Sequence, residues 1–168
     1  MRGLHPSFQR LPMSRSFRSL AFLVTMVLTA SCGTDPFQPD IENTNFAPAL
    51  AVDLDASTRD PSGLWYRDLT VGGGATVAAD TGISVTVRYT GYLRNGVQFD
   101  TGTLPPFVTG AGTVVRGFDL GVRGMRVGGR RQLIIPPSLG YGDSQSGSIP
   151  PNSILVFVVD LLSINPRS

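Results

Sequence analysis

Of the side chains that most often act as nucleophile, base or metal ligand, cysteine and histidine are scarce in this chain, and the acids are scattered. Its 168 residues include a single cysteine, Cys32, and a single histidine, His5, both within the first 32 positions. Asp160 interrupts an apolar run and reads as a paired or solvated edge position rather than an acid catalyst. No catalytic nucleophile, acid–base dyad or metal-site spacing is visible, so the sequence offers no cofactor and no metal. What recurs is aromatic and β-branched residues set among glycines and prolines: Tyr89, Phe99, Val115, Phe118, Tyr141 and Phe157. Taken one at a time, each strand-borne member of that set reads as core.

Cys32 is the exception. Residues 1–18 carry Arg2, Arg10, Arg15 and Arg18 and no acid, and they run into the apolar stretch Leu20–Ala30, then Ser31, Cys32 and Gly33. A basic region, an apolar region of about 7–15 residues and small residues at a cleavage point make a secretory signal peptide. The apolar stretch falls short of the about 20 residues that a membrane span needs. Leu28-Thr-Ala-Ser-Cys32 also resembles a bacterial lipobox, with its leucine one position early. Plain secretory cleavage near Ala30 would leave an unpaired thiol in an oxidising compartment. The expectation is therefore a lipid on Cys32 and an extracytoplasmic, membrane-anchored bacterial protein, with Gly33 favouring the outer over the inner membrane.

That leader also explains the charge. All fourteen cationic residues are arginine, against twelve acids, for a net charge of +2 and a pI of about 9.1. Without the four leader arginines, ten face twelve acids, so no basic face remains and nucleic acid is not an expected partner. Hydrophobic residues make up 41% and charged residues 15%, with 20 glycines and 13 prolines. Those proportions suit one turn-rich, β-rich globular domain.

The elements that must position the aromatic residues follow from periodicity. Residues 32–61, with Pro36, Pro39, Pro48 and Pro61 and no sustained period, read as a tether, of which Phe46–Leu54 is apolar enough to pack in part. The domain is expected over 62–168. Leu64–Thr70 reads as a first strand. Ile83–Thr90 alternates strictly, with Ile83, Val85, Val87 and Tyr89 on one face, the pattern of a strand with one wet side. Asn95-Gly96 predicts a two-residue type I′ turn, with both residues at positive φ, leading back into Val97–Phe99. Phe118, Val122 and Met125 are spaced as on a short amphipathic helix that its glycines leave marginal alone. Arg131–Ile135 and Ile154–Ile164 read as further strands, the last apolar on both faces and hence central. The expected class is α+β: a twisted antiparallel β-sheet wrapped around one short α-helix.

From Gly63 to Ile164, seven segments in order resemble the FKBP-type peptidyl-prolyl cis-trans isomerases. They are Val87-Arg-Tyr-Thr-Gly91, Asn95-Gly-Val-Gln-Phe-Asp100, Gly110-Ala-Gly-Thr-Val-Val-Arg-Gly-Phe118, Gly124-Met-Arg-Val-Gly128, Ile134-Ile-Pro-Pro-Ser-Leu-Gly-Tyr-Gly142, Ile149-Pro-Pro151 and Leu155-Val-Phe157. The resemblance implies an FKBP-like fold and an apolar, proline-sized pocket. Its catalytic walls would be Tyr89, Phe99, Asp100, Phe118, Tyr141 and Phe157, with Phe118 as the floor where tryptophan is usual. Phe107, Val114, Val115 and Ile149 would contact substrate. Asp100 would accept from Tyr89, while the Tyr141 hydroxyl and the Ile149 N–H would each hold a substrate carbonyl. The implied partners are proline-containing polypeptides and macrolide inhibitors.

The chemistry suits such a pocket. The barrier to X-Pro rotation, about 18–20 kcal/mol, is lost amide resonance, and uncatalysed exchange takes roughly tens to hundreds of seconds. Twisting lowers the charge separation of the amide, so a dry aromatic site binds the twisted state best. The sequence departs from the family between Asp100 and Gly110: Thr101-Gly-Thr-Leu104 lacks the usual arginine, and Val108-Thr109 replaces a second phenylalanine. The Tyr141–Ile149 loop is one residue short. These departures leave open a second reading, an FKBP-like binding or chaperone module with little or no turnover.

Overall fold

The computed structural model of the protein describes residues 39–78 and 82–165. Residues 1–31, read as a leader, and Cys32 lie outside the described residues. The described chain forms β1 (Thr58–Arg59), β2 (Trp65–Thr70), β3 (Ser84–Leu93), β4 (Gln98–Thr103), β5 (Phe107–Val108), α1 (Arg116–Val122), β6 (Arg130–Ile135) and β7 (Leu155–Asn165). Every pairing is antiparallel, in the order β1-β2-β6-β7-β3-β4, with β5 also paired to β3. This is the α+β architecture expected from the periodicity: one twisted sheet and one short helix.

The alternation of β3 does what its pattern implies. Val85 and Val87 are fully buried on the helix side and Tyr89 packs beside them, while Arg88 faces out. The central β7 puts Leu155, Phe157, Val159 and Leu161 on the same side. On the other face Asp160 stands directly across from Arg88 on one neighbour and Arg130 on the other, at 3.3 and 3.8 Å. It is a cross-strand charge partner, in keeping with the paired position read from the sequence.

The helix is shorter than its expected span. It ends at Val122, and Met125 enters the core from the following turn, where Gly124 takes φ +72°. Its fit to the sheet depends on Gly117 and Gly121, one turn apart on the face against β6. A Cβ at either position would collide with Ile135 or Leu133. The helix thus gives up propensity for close approach to the sheet, and packing holds it.

The β3–β4 turn departs from the type I′ expectation. Of Asn95 and Gly96, only Gly96 has positive φ, at +87°. The Gly96 N–H closes on the Leu93 carbonyl at 2.9 Å, and the Leu93 N–H bonds the Val97 carbonyl at 2.9 Å. Arg94 and Asn95 are therefore the turn's centre and Gly96 follows as a bulge, the usual form of a three-residue hairpin loop. The Asn95 side chain favours this form by accepting the Val97 N–H at 3.1 Å, a bond its own carboxamide supplies locally.

Of residues 32–61, read as a tether with Phe46–Leu54 packing in part, that packing is seen, and it begins earlier than expected, at Ile41. Ile41 and Leu50 are buried against Ile134, Ile154 and Val156 on the outer face of the sheet, with Phe46, Val52 and Leu54 packed around them. Polar contacts fasten this strap: Gln132 and Arg67 donate to the carbonyls of Leu50 and Ala51 at 2.7 and 2.6 Å. The reason is the two-sided apolarity of β6 and β7, which leaves an outer face that something must cover. Leu50→Ala should cost about 2–3 kcal/mol in urea unfolding. Unchanged stability would mean that the strap is an unattached tether after all.

Candidate functional site

Between β3, β4, β7, the N-terminal end of α1 and the loop after β6 lies a cavity of about 480 Å³. Eleven residues line it: Tyr89, Phe99, Asp100, Leu104, Gly112, Thr113, Val114, Val115, Phe118, Tyr141 and Phe157. Phe118 is 3% exposed and lies edge-on to Phe157 and Tyr89, with ring centroids 5.3 and 5.9 Å away and interplanar angles of 83° and 84°. Phe99 meets Phe157 in the same way at 5.5 Å. Edge-to-face contacts of this kind hold each ring against its neighbours, and the walls they form are apolar and rigid.

Local sequence explains the stack. At Gly91 a Cβ would sit 2.6 Å from the Phe99 ring and 2.8 Å from that of Phe157, so both rings rest on bare backbone. The register slips between Gly91 and Tyr92, leaving Phe99 as the extra residue of a bulge on β4. Bulges re-aim side chains at the edges of sheets.

The polar groups are few. The Tyr89 hydroxyl donates to Asp100 Oδ2 at 2.6 Å, and Asp100 Oδ1 accepts the Thr101 N–H at 2.8 Å. Burial first, then the bond to the Asp100 carboxylate, pushes the Tyr89 phenol up to about 12. A raised phenol pKa means that the fold favours the neutral form. That contribution is complete below the ordinary value near 10 and is lost as pH rises through about 12. In an alkaline titration followed by tyrosinate absorbance, Tyr89 should ionise late, and Tyr89→Phe should remove that late phase.

Eight of the ten expected site residues come together at this cavity: Tyr89, Phe99, Asp100, Val114, Val115, Phe118, Tyr141 and Phe157. Phe107 and Ile149 do not line it. Phe107 is 7% exposed and backs Phe118 from behind at 6.2 Å, so it supports the floor rather than facing the space above it. Ile149 is 5% exposed, and its N–H is taken up in a turn, donating to the Ser146 carbonyl at 2.9 Å. One backbone donor at the cavity that does lack a partner among the described residues is the N–H of Val115, the N-cap residue of α1. First-turn N–H groups are unsatisfied by the helix itself, and that was the signal available in the sequence.

Leu104, Gly112 and Thr113 were missed. Leu104 is held by its N–H to the Val87 carbonyl at 2.9 Å. The stretch 110–113 is positioned by Asp119, 7% exposed, whose Oδ1 accepts the Gly110 N–H at 2.8 Å. Thr109 is 1% exposed, and its hydroxyl accepts the Ile83 N–H at 3.1 Å. Thr109, one of the two residues that replace the family's second phenylalanine, thus ties the loop to the start of β3.

Comparison with known proteins agrees with this geometry. The family model described as FKBP-type peptidyl-prolyl cis-trans isomerase matches residues 75–162. The chain is 42% identical over 127 residues to the peptidyl-prolyl cis-trans isomerase FKBP15-3 of Arabidopsis thaliana, covering 73% of this chain and 89% of that protein. It is 48% identical over 106 residues to FK506-binding protein 4 of Dictyostelium discoideum, covering 61% of this chain but only 29% of that longer protein. The crystal structure of FkpA from Escherichia coli superposes with a TM-score of 0.60 at 32% identity, over 72% of this chain and 56% of that one. With just over half of its residues inside the family match, and an aromatic cavity built from the matching segments, the chain belongs to the FKBP-type peptidyl-prolyl cis-trans isomerases.

Proposed function

We propose that the cavity over Phe118 takes the proline ring of a polypeptide and lowers the barrier to rotation about the preceding amide. The observation that carries this reading is the stack of Tyr89, Phe99, Phe118 and Phe157 around a space of about 480 Å³. Within it the twisted amide, less polar than either planar isomer, exchanges water for ring faces at less cost than the ground state does. The Val115 N–H and the Tyr141 hydroxyl stand at the rim as donors for the carbonyls on either side of the proline. Tyr89, kept neutral and bonded to Asp100, fixes the wall. No covalent bond is made or broken, so no proton has to move.

The setting of this activity is part of the same proposal. The arginine-rich start, the apolar run 20–30 and Cys32 support export with a lipid on Cys32, and hence clients among exported, folding polypeptides. The full chain should accelerate isomerisation of a proline tetrapeptide in a protease-coupled assay. A folded protein with no rate above background would refute the enzyme reading and leave a binding module. Detergent phase partitioning of Cys32→Ser tests the anchor: the variant should move to the aqueous phase, and one that stays with the detergent would refute the lipid.

A further inference from the structure

A second cavity, of about 550 Å³, lies between residues 39–45 of the strap, residues 93–95 of the β3–β4 turn and residues 150–154 ahead of β7. It adjoins the proline pocket in two ways. Gly91 lies opposite Phe157, and Leu93 opposite Leu155, so this cavity, which Leu93 borders, begins two residues further along the same strands, roughly 7 Å on. The Asn152 N–H also bonds the Gly142 carbonyl at 2.7 Å, tying one wall to the residue beside Tyr141. An extended chain rises about 3.3 Å per residue, so a polypeptide with its proline over Phe118 reaches this space within about two to four residues.

Its lining has a definite chemistry. The Arg94 guanidinium and the carboxamides of Asn45 and Asn152 have no partner among the described residues. Asn43 spends its NH₂ on Asp40 at 2.6 Å, and Asn95 spends its oxygen on the Val97 N–H, so each keeps the other half of its carboxamide. No acid lines the cavity among the described residues. Asp40, behind the wall, has its other oxygen taken by the Glu42 N–H at 3.0 Å. Asn152 itself is held at φ +55°, one of two such non-glycine residues in the described chain. Open carboxamides match the alternating N–H and C=O groups of an extended main chain, and an unpaired guanidinium matches a carboxylate.

We propose that this cavity is a subsite for the stretch of client polypeptide flanking the proline, and that it favours an acidic side chain there through Arg94. The inference rests on the neighbouring pocket being the proline site. The test is a fluorescence anisotropy titration of the full chain with labelled peptides: a proline tetrapeptide, and the same peptide extended with glutamates on its N-terminal or its C-terminal side. One extension should tighten binding about fivefold, the upper range for a partly exposed ion pair. Arg94→Glu should abolish that gain, as should lysine in place of glutamate in the peptide, while the tetrapeptide's affinity and turnover stay unchanged. If the tetrapeptide binds but neither extension helps, or the gain survives Arg94→Glu, the subsite is wrong and the proline pocket stands. If the tetrapeptide itself fails to bind, both readings fall.

Discussion

Phe118→Ala is expected to lower kcat/KM for a proline tetrapeptide by about two orders of magnitude, equivalent to roughly 2.7 kcal/mol of lost transition-state binding. The ring is 3% exposed and is the common neighbour of Tyr89, Phe107 and Phe157. Its removal opens the floor, admits water and lets three rings relax, which erodes the preference for a less polar amide. The same truncation should cost about 3–5 kcal/mol of stability, as large aromatic deletions in cores do. Because loss of fold could masquerade as loss of activity, Phe118→Leu serves as the control. It keeps most of the volume, should cost little more than about 1.5 kcal/mol, and should still lose at least about tenfold in rate. A folded Leu variant with unchanged kinetics would show that the floor lies elsewhere.

Arg131→Ala carries the largest expected loss of stability away from the pocket, about 3–5 kcal/mol in urea unfolding. This side chain is almost wholly buried, yet every end of its fork is used. Nε and Nη2 grip Asp68 at 2.6 and 3.0 Å, Nη1 donates to the Gly121 and Arg123 carbonyls at 3.0 and 2.9 Å, and the guanidinium lies 4.5 Å over the Tyr66 ring. It therefore closes the C-terminal end of α1 and ties that end to both β2 and β6. Truncation would leave two helix carbonyls and a carboxylate without their donor. Arg131→Lys should recover little, since a point charge cannot reach acceptors on both sides at once. Catalysis per folded molecule should be nearly untouched, which separates this residue from Phe118. A Lys variant as stable as the wild type would contradict the role given to the fork.

Both effects bear on what the sequence made legible. The aromatic wall was readable because strand alternation placed Tyr89 on the buried face of its strand, and because the spacing of the family's segments tied it to Phe99, Phe118, Tyr141 and Phe157. Arg131 was not readable as a helix clasp: nothing local distinguishes it from Arg130, and its partners at positions 68, 121 and 123 meet only in three dimensions. The strap was foreseen only in part, over Phe46–Leu54, for a related reason. Ile41 and Leu50 have no period of their own, and what recruits them is the outer faces of Ile134 and Val156. Hydrogen-bond donors were the hardest to assign. Ile149 looked like the backbone donor from its place in a motif, but a turn to Ser146 takes its N–H. Turn closure of this kind depends on loop length, and the loop after Tyr141 is the shortened one.

That shortened loop, together with the arginine missing after Asp100, is why binding and turnover have to be distinguished directly. Exchange spectroscopy by NMR on a proline peptide does so, because it reads cis–trans interconversion at equilibrium with no coupled protease. With catalytic amounts of the full chain, exchange cross-peaks between the two isomers should appear on a sub-second timescale, against roughly tens to hundreds of seconds without it. They should weaken sharply with Phe118→Leu. Shifted and broadened peptide signals without exchange cross-peaks, at saturating protein, would mean that the pocket holds proline without turning it, contradicting the account.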